Sequence, residues 1–63
     1  MTKAEKAIMA NVKNSNGLTN PVLAAQMTGY KVSTARRIFR NFLNASKITV
    51  EMINGFNHYH VAK

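Results

Sequence analysis

An α+β fold, three helices followed by a C-terminal β-hairpin, is what this sequence predicts, and two observations carry the prediction. Apolar residues recur at three- and four-residue steps as far as about residue 45, and then alternate at every second residue. Strong start and stop signals separate these stretches: Thr2 with Glu5, Asn20-Pro21, Gly29 and Asn54-Gly55. Nothing in the chain reads as a linker, a repeat or a low-complexity run, so residues 1–63 are expected to form one domain.

The first helix is expected to begin at a capping box, in which the Thr2 hydroxyl accepts from the Glu5 amide and the Glu5 carboxylate accepts from the Thr2 amide. Ala4, Ala7, Ile8 and Val12 give it an apolar stripe, with Lys3, Lys6 and Lys13 on other faces. It should end near Asn14, because Asn16-Gly17 is a stop signal. Asn20 is an N-cap and Pro21 suits the first position of a helix, where its missing N–H is no loss. A second, short helix from Pro21 to Met27 follows. Gly29 then stands where the chain turns between helices at positive φ.

In the third helix Ala35, Ile38, Phe39, Phe42 and Leu43 gather on one stripe, while Ser33, Arg37, Arg40 and Asn44 gather on the opposite one with Arg36 at its margin. This is the pattern of a helix-turn-helix with a basic outer face. Past Ser46-Lys47, Ile48, Val50 and Met52 alternate with Thr49, Glu51 and Ile53, and Asn54-Gly55 is a strong signal for a type I′ hairpin turn. The implied register sets Ile53 against Phe56, Met52 against Asn57, Glu51 against His58, Val50 against Tyr59 and Ile48 against Val61. Ile48, Val50, Met52, Tyr59 and Val61 would then cover the helices together, and a slip of one residue would expose them all.

At these residues the chain resembles the winged helix-turn-helix DNA-binding regulators of bacteria and phages, especially GntR-type modules. Leu23, Ala24, Ala25, Gly29, Ala35, Arg36, Arg37, Ile38, Phe39, Arg40 and Ile48 carry the resemblance. It implies a third helix that enters the major groove, a hairpin that serves as a wing, and a short third strand at Leu18-Thr19 paired with that hairpin. It also implies base or phosphate contacts at Arg36 and Arg37. The hairpin tip departs from the family, because Asn54-Gly55-Phe56-Asn57 lacks the Arg or Lys that a minor-groove wing normally carries.

Bulk properties narrow the function classes. A chain of 63 residues has room for one small core, and it buries only about 60% of its unfolded surface. With no cysteine there is no disulfide and no thiolate metal site. No apolar run approaches the roughly 20 residues of a bilayer span, and Met-Thr-Lys-Ala-Glu does not read as a signal peptide, so a cytoplasmic location without membrane partners is expected. Nine Lys and Arg face only Glu5 and Glu51, for a net charge of +7. Such a field attracts phosphate polymers and makes binding salt-dependent.

The expected partner is double-stranded DNA, with a recognition helix over about 32–45. Ser33, Thr34, Arg36, Arg37 and Arg40 are candidates for base contacts; Thr19, Asn20, Lys31 and Asn44 are candidates for phosphate contacts. The ordinary alternative for a run of arginines is a solvated face, and the glycine turn and hairpin weigh against it here. Ile53 and Phe56 form an apolar pair at the tip, either a partner contact or a cross-strand pair that only steadies the hairpin. His58 and His60 share a strand face near Glu51 and read as surface histidines; no metal, cofactor or small-molecule ligand is expected. Tyr30, Phe39, Phe42 and the methionines are needed for the core. Without an acid pair, a nucleophile with its base or a phosphate-binding glycine loop, an enzyme is not expected.

These readings combine into a small sequence-specific DNA-binding protein, a phage- or plasmid-type transcriptional regulator or a recombination accessory factor. High specificity from so short a reader would call for a homodimer or neighbouring copies on DNA. The alternative is a protein-interaction module that holds a host or partner protein through the wing and basic helix. RNA binding is a weaker third reading, since no aromatic stands on the basic face.

Overall fold

The computed structural model describes residues 1–62 and contains α1 (Lys3–Asn14), α2 (Pro21–Thr28), α3 (Val32–Asn44), β1 (Ile48–Ile53) and β2 (Phe56–Val61) in that order. This is a small α+β arrangement of three helices and a two-stranded antiparallel hairpin.

The capping box forms as expected: the Thr2 N–H donates to Glu5 Oε1 at 2.8 Å and the Glu5 N–H to Thr2 Oγ1 at 3.2 Å. Ile8 and Val12 are the buried residues of α1, flanked by half-buried Ala4 and Ala7. Met9, outside the predicted stripe, also packs against the core. In α2 the Asn20 side chain accepts from the Leu23 N–H at 2.9 Å, and Gly29, at φ 79°, donates its N–H to the Ala25 carbonyl. The helix runs one residue past Met27, where the Thr28 hydroxyl donates to the Ala24 carbonyl at 2.6 Å.

Ala24 and Ala25 of α2 and Ala35 of α3 are all buried, and small side chains at a helix contact leave room for close approach. Ile38, Phe39 and Phe42 complete the buried face of α3 as predicted, with Leu43 half-buried beside it. The helix ends at Asn44 in a Schellman motif, with the Lys47 N–H donating to the Phe42 carbonyl and the Ser46 N–H to the Leu43 carbonyl. Ser46 takes the left-handed position there, at φ 57°. The turn delivers Ile48 into the core, where it is fully buried.

The hairpin has the predicted register at every pair from Ile48–Val61 to Ile53–Phe56. Asn54 and Gly55 both lie at positive φ, as a type I′ turn requires. Tyr59 meets Phe39 edge-on with ring centroids 5.0 Å apart. That contact is worth about 0.5–1.5 kcal/mol beyond area burial.

Three expectations are corrected; the first is that the methionines serve the core, since only Met9 packs against it while Met1 and Met27 are exposed. Ile48, Tyr59 and Val61 do pack on the helices, but Val50 is 45% exposed and Met52 70% exposed. A six-residue strand is about 20 Å long, and the small core ends before the strand does. The Leu18-Thr19 stretch forms no strand, and the sheet has only β1 and β2. Its backbone is used otherwise: the Leu18 N–H donates to the Ser15 carbonyl in the turn after α1, and Thr19 is drawn inward.

Candidate nucleic-acid interface

The fold gives α3 one buried side and one open side. On an ideal helix Arg36, Arg40, Ser33, Asn44 and Arg37 fall, in that angular order, within an arc of roughly 100°. All five are exposed, while Ala35, Ile38, Phe39 and Phe42 on the opposite arc are buried. Segregation of the basic side from the core therefore follows directly from the sequence period. No acidic residue occurs within α3 itself, so the three guanidinium groups have no carboxylate on their own helix to neutralise them.

The arginines face different surroundings. Arg36 lines a groove with the first turn of α2, including Asn20, Val22 and Leu23, and with Phe56 and Asn57 of the hairpin. Arg37 lies on the other flank, in a shallow depression with Thr2, Ala4, Glu5, Ile38 and Asn41 of α1 and α3. Arg40 is exposed between these two flanks in angular position. The ridge is thus bordered by the hairpin on the Arg36 side and by the start of α1 on the Arg37 side.

The remaining candidates divide. Lys31 is exposed at the N-cap of α3, and no side chain caps that helix. The start of α3 therefore presents backbone N–H groups, the positive end of the helix dipole and a lysine together. Sequence reasoning missed this, although the absence of Ser, Thr, Asp or Asn at position 31 is its signal. Thr34 is half-buried and sits toward the edge of the exposed arc.

Thr19 is displaced from its expected role. It is 4% exposed, and its hydroxyl donates to Asn11 Oδ1 at 2.5 Å. This threonine ties the turn to α1 and has no face left for a phosphate. Asn20 is half-buried and spends its side-chain oxygen on the Leu23 N–H. Pro21 has no N–H and the Ala24 N–H goes to the Asn20 carbonyl, so the first turn of α2 has little to offer an anion.

Of the two acids, Glu5 borders the ridge in the depression it shares with Arg37, and Glu51 stands away from it. Glu5 is engaged by the Thr2 backbone N–H and hydroxyl, which together hold its carboxyl below the usual carboxylate range. Glu51 lines a depression with Lys13, Thr49 and His60 at the base of the hairpin and the end of α1. Ile53 and Phe56 are paired at the tip, 42% and 71% exposed. His60 lies over Gly17, and among the described residues no three His, Cys, Asp or Glu side chains are grouped to hold a metal ion. No helix among them is long and apolar enough to cross a membrane.

The chain matches no family model, no curated protein and no solved structure. The functional reading therefore rests on the residues and their geometry.

Proposed function

We propose that this chain is a non-enzymatic, sequence-specific double-stranded DNA-binding protein of the winged helix-turn-helix kind, with α3 lying in the major groove. One observation carries the reading: Ser33, Arg36, Arg37, Arg40 and Asn44 share an exposed arc of a helix whose other side is anchored in the core. A helix 10–12 Å across fits a groove about 12 Å wide and 8.5 Å deep. Arginine at the groove floor donates in bidentate fashion to guanine O6 and N7, and arginine at the rim braces phosphate.

In this reading Arg40 and Ser33 face the base edges from the middle of the arc, Arg37 reaches them from the α1 flank, Arg36 lies on the hairpin flank, and Asn44 meets the DNA backbone at the C-terminal end of the helix. Lys31 and the uncapped start of α3 hold a phosphate at the groove mouth. The +7 charge supplies the long-range attraction. On this reading the protein acts by occupying its site or by reshaping DNA. A regulator of phage or plasmid type, or an accessory factor in recombination, fits that mode of action.

The direct test is a fluorescence-anisotropy titration of a duplex pool at several salt concentrations. Binding should weaken linearly in log–log form as salt rises, with a slope set by the number of phosphates neutralised. An Arg37→Ala and Arg40→Ala double variant should bind far more weakly at every salt concentration. Equal binding by wild type and double variant would refute the groove assignment.

A further inference from the structure

The outer third of the hairpin, with its turn, projects past the core. Past Val50–Tyr59, where Tyr59 meets Phe39, the last packed pair is Glu51–His58: His58 is half-buried beside Gly17, and Glu51 lines a depression with Lys13. Two further pairs, Met52–Asn57 and Ile53–Phe56, lead to the Asn54-Gly55 turn. At about 3.3 Å per residue they carry the tip roughly 7 Å beyond the packed region. Met52, Ile53 and Phe56 are exposed there, Met52 and Phe56 at 70% and 71%. The polar residues among them, Asn54 and Asn57, are uncharged.

This apolar tip lies on the same side of the molecule as the arginine ridge. Gly55, Phe56 and Asn57 line one groove with Arg36 and the first turn of α2. Whatever α3 binds through its Arg36 flank continues toward the tip.

We propose that Phe56, backed by Ile53, is a wedge that enters the minor groove beside the segment held by α3, partly unstacks one base step and kinks the duplex. The inference rests on the DNA reading above and adds to it a mechanical function. Dimensions support it. A free reach of roughly 7 Å is close to the minor groove's depth of about 7.5 Å, but two strands about 4.8 Å apart with their side chains are too broad for a width of about 6 Å. The hairpin therefore enters only as the groove opens, and a kink toward the major groove opens it. Phe, Ile and Met are the side-chain types that act as such wedges, whereas a tip that reads a narrow, undistorted minor groove carries arginine. The cost of unstacking falls at flexible TA and CA/TG steps, so the wedge also adds a sequence preference at a position that no hydrogen bond reads. The arginines of α3 supply the anchoring that offsets that cost.

The test uses the full chain and the duplex it enriches from a random pool, made about 30 base pairs long with a donor–acceptor pair at its ends. 2-Aminopurine is placed in turn at each step flanking the α3 footprint. Wild type should shorten the end-to-end distance and raise 2-aminopurine fluorescence at one step. Phe56→Leu, which keeps an apolar wedge, should retain both effects. Phe56→Thr, which keeps strand propensity, should bind about tenfold more weakly and leave the duplex straight. Wild-type binding to a straight duplex with no fluorescence change overturns the wedge without any variant, and leaves the DNA reading intact. Equal bending by Phe56→Thr overturns it too, and in either case the tip is left to a protein partner. Failure of the wild type to bind any duplex at low salt overturns both the wedge and the DNA reading.

Discussion

The imidazole of His60 lies directly against Gly17: a β-carbon built on that glycine would come within 2.7 Å of His60 Cε1. Gly17 is also at φ 84°, so two separate restrictions meet at one residue. The contact ties the turn after α1 to β2, in the place where a third strand was expected. Gly17→Ala is predicted to destabilise the protein by about 1–2 kcal/mol from backbone strain alone. The collision adds little, because the atoms involved belong to the far end of an exposed side chain. Thermal melts of Gly17→Ala with and without His60→Ala check this: most of the loss should persist when the imidazole is gone.

Ser46→Gly is predicted to stabilise the protein. Ser46 closes α3 at φ 57°, a position where glycine escapes the Cβ clash that a left-handed residue otherwise suffers. The gain, less the entropy cost of glycine in the unfolded chain, is about 0.5–1 kcal/mol. For a domain of this size that is a rise of several degrees in Tm. An unchanged or lowered Tm would mean that the serine relieves its strain in another way.

Acid should weaken the start of α1. Thr2 holds the Glu5 carboxyl below its ordinary range, first through its backbone N–H and then through its hydroxyl. A carboxyl whose pKa is lowered on folding stabilises the fold fully above the unfolded value, and the contribution disappears as pH falls through the folded value. The stability difference between wild type and Glu5→Gln should therefore narrow with acidification across that interval. Side-chain carboxyl shifts in an NMR pH titration read the same quantity, and a midpoint at the ordinary carboxylate value would contradict it.

Much of this molecule is written in local signals. The capping box at Thr2 and Glu5, the Asn20-Pro21 start, the Gly29 stop and the Asn54-Gly55 turn each depend on residues a few positions apart, and each appears where the sequence puts it. The hairpin register follows because one strand period and one turn fix it together. What the sequence withheld was non-local. Thr19 turns inward because its partner is Asn11, on another element. Val50 and Met52 have the correct parity for a buried face, but parity does not say where the core ends. Ser46 takes a left-handed turn that serine itself does not announce. The exposed arc of α3 was readable from its period, whereas the flanking of Arg36 by the hairpin and of Arg37 by α1 needed the packed helices.

Arg37 and Lys31 should separate specificity from affinity. Arg37→Ala is predicted to cost about 1–3 kcal/mol on a preferred duplex and to flatten the discrimination between bases at one position. Lys31→Ala should weaken binding to a similar degree on every sequence and reduce the salt slope by about 1. Competition titrations with single-base variants of an enriched duplex distinguish the two, and equal discrimination by wild type and Arg37→Ala would remove Arg37 from the base-reading set.

The measurement closest to the central claim is an amide chemical-shift titration of the full chain with duplex DNA at low salt. Entry of the arginine ridge into the major groove predicts the largest and saturable shifts over residues 31–44, beginning at Lys31 and the uncapped first turn of α3. A duplex that saturates the protein while those amides stay in place would contradict the account.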